Sequence, residues 1–176
     1  MSPAGTRDLR LSLDINAKAD EVYRALTSAT RLCRWWLEGA ETDARNAGRF
    51  RMVWPKLRAP DSRTPFPPHV ARGESEGVFV DLDPGRKVAW LWKASRRKDI
   101  PLLASFFIRP KRRGCEITLV HAGFSKSRAA DKRYAGCAAG WEDCLAKLKL
   151  YLEAGRSCRA QVLTFADVPR LKKAAK

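Results

Sequence analysis

Residues 137–154 read CAAGWEDCLAKLKLYLEA, and their spacing decides the fold. Cys137, Trp141, Cys144, Leu145, Leu148, Tyr151 and Leu152 recur at steps of three and four, one broad apolar stripe on an α-helix. The other side carries Glu142, Asp143, Lys147, Lys149 and Glu153, with Asp143 four residues before Lys147, the better order for a helical ion pair. Gly155 follows where a left-handed C-cap belongs. At about 1.5 Å per residue the helix is roughly 27 Å long, enough to cross a small sheet. An amphipathic helix of that length needs a partner surface, and the chain before it supplies one.

That surface is a series of alternating strands. Leu9, Leu11, Leu13 and Ile15 share one face of the first, against Arg10, Ser12 and Asp14. Asp20 is the expected N-cap of a short helix through about Leu26, and a second short helix runs from about Ala29 to Trp36 with Leu32, Trp35 and Trp36 inward. Phe50, Met52 and Trp54 alternate with Arg49, Arg51 and Val53 after Gly48. Residues 77–82 place Val78, Val80 and Leu82 on one side and Phe79 and Asp81 on the other. Asp83-Pro84-Gly85 then turns the chain into a strand whose Val88, Trp90 and Trp92 share a parity. Leu102, Ala104, Phe106 and Ile108 form the next inward row, and after a turn at 110–114 come Cys115, Ile117, Leu119 and His121. Residues 123–135 read as a polar connection. A predominantly antiparallel sheet must bury one face, and the one large apolar element left to cover it is the 137–154 helix. The expected class is α+β, with a curved sheet wrapped around a long C-terminal helix and two short helices after the first strand.

The 176-residue length fits one domain, taken as residues 1–155, with a basic tail at 156–176 expected to be poorly ordered. Residues 55–72 contain Pro55, Pro60, Pro65, Pro67 and Pro68, and proline cannot donate to a central ladder, so this is read as a long surface loop. No apolar run approaches the ~20 residues of a membrane helix, and residues 1–10 lack the apolar core of a signal peptide; the expectation is a soluble, cytoplasmic protein. Five cysteines (33, 115, 137, 144 and 158) include no CxxC pair, and with two histidines and no HExxH no metal or cofactor is expected.

Net charge is +16, from 35 Lys and Arg against 19 Asp and Glu. The basic residues are spread over every element, with knots at Arg96-Arg97-Lys98 and Lys111-Arg112-Arg113 where loops belong. Nucleic-acid readers concentrate charge on one arm or platform, so a solvated surface that weakly attracts anions is the plainer reading. Nonspecific nucleic-acid binding rests on net charge alone.

The order of elements resembles the helix-grip fold of the START-like, or SRPBCC, superfamily. The residues that carry it are Ala19 to Thr27, Leu32 with Trp35-Trp36, Gly48-Arg49-Phe50, Gly77-Val78 leading to Asp83-Pro84, Trp90-Leu91-Trp92, Leu119 to Phe124, and Gly140 to Leu148. They are most similar to the branch, with many bacterial members, homologous to the C-terminal domain of activators of the heat-shock-protein-90 ATPase. The resemblance implies a mostly apolar cavity between sheet and helix, used across the superfamily for lipids, polyketides, hormones and aromatic compounds. It also implies, as an alternative, a co-chaperone role, although the activators use a second, N-terminal domain for which residues 1–155 leave no room.

Trp36, Phe50, Trp90, Trp92, Phe106, Leu119, His121, Trp141 and Leu145 are the candidate cavity residues. The same aromatic list describes a solid core equally well, since each large ring buries about 150–250 Å². His121 shares the parity of Ile117 and Leu119 and is the one inward group able to act on a polar ligand; His69 falls in the proline-rich loop. No GxSxG, Walker or GxGxxG motif occurs, and a cyclase-type enzyme would have to rely on His121. The expectations are a non-enzymatic module that holds an apolar or aromatic small molecule, or a protein-interaction module acting on a chaperone. Exposed sheet edges would permit a homodimer.

Overall fold

The computed structural model describes residues 5–56, 73–94 and 102–174. Seven strands form one antiparallel sheet: β1 (Thr6–Ile15), β2 (Gly39–Thr42), β3 (Arg49–Val53), β4 (Glu74–Asp83), β5 (Lys87–Trp92), β6 (Leu102–Pro110) and β7 (Cys115–Ser125). Their spatial order is β1-β7-β6-β5-β4-β3-β2, so the first strand closes the sheet beside the last. Two short helices, α1 (Ala19–Thr27) and α2 (Ala29–Trp35), fill the connection from β1 to β2. The long helix α3 (Asp131–Ala154) lies across the concave face, and a short α4 (Asp167–Lys173) ends the described chain. This is the helix-grip arrangement expected from the alternation.

The concave face is the predicted parity almost throughout. Leu9 and Ile15 of β1, Phe50 and Met52 of β3, Val88, Trp90 and Trp92 of β5, Ala104, Phe106 and Ile108 of β6, and Ile117 and Leu119 of β7 are buried in one cluster with Trp141, Cys144, Leu145 and Leu148 of α3. Strand β4 departs from the expectation. Its register against β5 slips between Phe79 and Asp81, so Phe79 and Leu82, expected on opposite sides, both pack in the core while Val80 is exposed. Strand β2 also escaped the pattern, because Gly39-Ala40-Glu41-Thr42 is a four-residue edge with no bulky β-former. Asp20 lies inside the first turn of α1, whose N-cap is Lys18; Ser28 instead caps α2, accepting from the Arg31 amide at 3.4 Å.

Helix α3 begins six residues before the apolar stripe does, after a short 3₁₀ turn at Arg128–Ala130. It ends as expected at Gly155, whose φ of 63° is the left-handed conformation that glycine adopts without a Cβ penalty. The residues after Gly155 are not a loose tail. Cys158, Leu163, Val168 and Leu171 pack on Ala146 and Leu150, on the side of α3 turned away from the sheet. The proline-rich segment and the Arg96-Arg97-Lys98 knot lie outside the described residues, apart from the first two residues of the former, 55 and 56.

This second contact changes the helix's polar side. Asp143 and Lys147, expected to face solvent, are 6% and 2% exposed and bond to each other at 2.8 Å. Asp143 Oδ1 also accepts from the Leu163 amide at 2.7 Å, and Lys147 Nζ donates to the Arg159 carbonyl at 3.3 Å. Burial pushes the Asp143 carboxyl up, with Lys147 and the Leu163 amide pulling against it. Glu153 ties the same region together, accepting from the Asn16 amide at 2.8 Å, from Lys149 at 2.7 Å and from Lys172. Burial alone would raise the Glu153 carboxyl, but those three donors outweigh it and hold the group below its ordinary value.

Two outcomes follow for stability. Asp143→Ala strands the buried Lys147 ammonium and is expected to cost about 3–5 kcal/mol in urea unfolding, whereas replacing both partners by leucine or methionine is far milder. Because the folded Glu153 pKa lies below the unfolded one, its contribution is present above the ordinary value of 4.5 and fades as pH falls through the folded value. Glu153→Gln is therefore expected to flatten the loss of stability below about pH 4.5, measured as unfolding midpoints over a pH series.

Candidate functional site

Trp36 at the end of α2, Phe50 on β3, Trp90 and Trp92 on β5, Phe106 on β6 and Trp141 on α3 converge on one volume between sheet and helix. Their rings touch. Trp36 stacks on Trp90 with centroids 5.7 Å apart and planes 16° from parallel, and Trp35 stacks on the other side of Trp36 at 5.3 Å. Trp90 meets Phe106 edge to face at 4.8 Å and Trp92 at 5.4 Å. Trp141 reaches down from α3 to Trp92 at 5.6 Å and Phe106 at 5.7 Å. Offset and edge-to-face geometries of this kind are favourable beyond area burial alone. A glycine makes room for the layer: a Cβ at Gly77 would come within 2.4 Å of the Phe50 ring and 2.3 Å of the Leu91 carbonyl.

Exposure is uneven across this layer. Trp90 and Phe106 are fully closed, while Trp36, Trp54, Trp92 and Trp141 keep 5%, 7%, 5% and 6% of their surface. Trp54, which shares the β3 parity of Phe50 and so was visible in the alternation, meets Trp36 edge to face at 4.9 Å and donates Nε1 to Ser75 Oγ at 3.3 Å. Trp35 turns its own Nε1 to the Ala25 carbonyl at 3.0 Å, which locks α2 to α1. Trp90 Nε1 is buried with no acceptor among the described residues.

His121 occupies the predicted inward position and is buried. Trp141 Nε1 donates to its Nδ1 at 2.9 Å. Since an indole nitrogen can only donate, Nδ1 holds a lone pair and the ring proton sits on Nε2. Phe124 packs against His121 at 4.6 Å and Tyr134 against Phe124 at 5.2 Å, with the Arg7 guanidinium over Tyr134 at 4.1 Å. A line of rings thus runs from the surface at Arg7 to Trp141. Leu119 and Leu145 are buried in the same cluster, beside His121 on β7 and on the inward side of α3.

The remaining chemistry is sparse. The thiols are free; burial pushes Cys137 up to about 11 and raises Cys115 and Cys144, so they stay protonated and act as small apolar groups. No group of His, Cys, Asp and Glu able to hold a metal occurs among the described residues. No helix there is long and apolar enough to cross a membrane.

An antiparallel sheet gripping one long helix, with an apolar aromatic layer between them, is the START-like fold. The chain belongs to the family described as activator of Hsp90 ATPase homolog 1-like protein, whose profile matches residues 16–153. Solved structures with the same fold include SSP2350 from Staphylococcus saprophyticus, with a TM-score of 0.67 and 16% identity over 89% of this chain and 100% of that one. CalU16 from Micromonospora echinospora aligns at 0.60 and 19%, covering 98% and 86%. The Aha1 dimer from Colwellia psychrerythraea aligns at 0.64 and 18%, covering 86% and 99%. No curated protein sequence matches the chain.

The His121–Trp141 bond makes a direct test of this geometry. His121→Phe is expected to cost roughly 1–3 kcal/mol by leaving the buried Trp141 N–H without its acceptor. A double-mutant cycle with Trp141→Phe in urea unfolding should return a coupling of about 1 kcal/mol; strictly additive effects would mean the bond does not form in solution.

Proposed function

We propose that this START-like domain is a non-enzymatic binder of a flat aromatic or apolar small molecule, held between the sheet and α3. The supporting observation is the distribution of exposure: Trp36, Trp54, Trp92 and Trp141 keep 5%, 7%, 5% and 6% of their surface, whereas Trp90 and Phe106 in the same layer are fully closed. A planar molecule extending that layer gains the same offset and edge-to-face contacts the rings already make with one another. The non-enzymatic reading rests on His121, whose Nδ1 lone pair is already taken by Trp141, and on Asp143, a buried carboxylate turned to the far side of α3. Phe50, Trp92, Leu119 and Leu145 act as walls and supports, with no proton to transfer.

A second reading draws on the family's description and on the basic surface: an interaction module that engages a chaperone and stimulates its ATPase, or that pairs with a second copy as the Colwellia protein does. It predicts stimulation of a cognate chaperone ATPase that weakens with salt as surface charges are screened. Absent stimulation at micromolar excess counts against it.

The ligand reading is tested by native mass spectrometry and thermal shift against a panel of planar hydrophobic compounds. At least one is expected to bind and raise the melting temperature. Trp36→Leu or Trp92→Leu should weaken that binding by tenfold or more, about 1.4 kcal/mol, while Ile117→Ala, a core truncation away from the indoles, retains it. A protein that carries no ligand and shifts with none refutes the proposal.

A further inference from the structure

The last turns of α3, the end of β1 and α4 line a groove of about 1040 Å³ at the C-terminal end of the helix, beyond the aromatic layer at Trp141. We propose that this groove is a second binding site, for a small amphipathic carboxylate: a hydrocarbon tail with one anionic head. Its floor is apolar, built from Leu13, Ala154, Phe165, Val168 and Pro169. Its rim carries Lys149, Lys172 and Lys173 with Asp14 and Glu153.

The charges at the rim do not cancel. Asp14 is answered from outside the groove by Lys111, at 2.5 Å. Glu153 is the carboxylate left to face three ammonium groups, and it is already held by Lys149, Lys172 and the Asn16 amide. Lys173 is exposed and makes no ion pair among the described residues. An apolar floor under a rim with surplus positive charge is complementary to a single anionic head on an apolar tail, and a neutral hydrocarbon would leave Lys173 unused. Lysine stems can cover such a tail while their ammonium groups stay hydrated.

The site is a product of the fold-back after Gly155. Phe165, Val168, Pro169, Lys172 and Lys173 lie beyond residue 153, where the family match ends. It is therefore independent of the aromatic face and stands whether or not that face takes a ligand.

Dodecanoate below its micelle concentration is the probe, titrated into the full chain by calorimetry and by amide NMR. Saturable binding that shifts the amides of Leu13, Phe165 and Lys173 is expected, with no response from the indole N–H signals of Trp36, Trp92 and Trp141. Lys173→Glu reverses an exposed, unpaired charge and should weaken binding about tenfold, a change of the size two unit charges give at contact near water. Ala154→Phe fills the floor and should abolish binding; if that variant does not fold, Lys173→Glu alone decides. Dodecyltrimethylammonium should not bind. No binding of dodecanoate overturns the proposal, as does unchanged affinity in the folded variants, equal binding of the cationic amphiphile, or perturbation of the indoles in place of the groove. Binding to phosphatidylglycerol vesicles without binding to dodecanoate also overturns it and assigns the rim to a membrane surface.

Discussion

The fold depends on one helix having to bury two opposite faces. Trp141, Cys144, Leu145 and Leu148 of α3 meet the sheet, and Ala146 and Leu150 meet the fold-back after Gly155. A helix covered on both sides has little room for solvated charge, which is why Asp143 and Lys147 end up buried together. The pair is tolerable because each partner finds a further backbone bond from the covering segment, the Leu163 amide for one and the Arg159 carbonyl for the other. Register between helix and tail is thereby set by polar geometry, while the apolar residues on either side supply most of the favourable free energy.

On the sheet side indoles fill much of the space under the helix. Trp36, Trp90, Trp92 and Trp141 come from α2, β5 and α3, so three separately placed elements are braced through one set of ring contacts. That arrangement leaves few polar atoms to satisfy, and most find partners locally: Trp35 on Ala25, Trp54 on Ser75, Trp141 on His121. The layer that stabilises the domain is also the surface proposed for a ligand, so core and candidate site are one set of residues.

Much of this was legible in the chain. Alternation placed Phe50, Trp90, Trp92, Phe106, Leu119 and His121 on the inward face, because a two-residue period survives in every strand that pairs without a bulge. It failed between Phe79 and Leu82, where a bulge inverts the parity and the apolar character of the residues gives no warning. The helical stripe identified Trp141 and Leu145 but not the second face, since Ala146 and Leu150 fall between acidic and basic residues that read as a solvated side. Nothing local distinguishes Asp143 and Lys147 from an ordinary surface pair; their burial is decided by residues 158–171. The donor–acceptor bond between Trp141 and His121, twenty positions apart, likewise exists only once strand and helix are brought together.

The account's central claim is that the indole layer is a ligand surface with a closed floor. Titration of the folded protein with 9-fluorenone, followed through the six indole N–H signals in a ¹H–¹⁵N spectrum, tests it most directly. The accessible indoles, Trp36, Trp54, Trp92 and Trp141, should move together and saturably while Trp35, behind Trp36, stays in place. Six signals that never move, or a uniform drift of all six with no saturation, would contradict it and leave the layer as core alone.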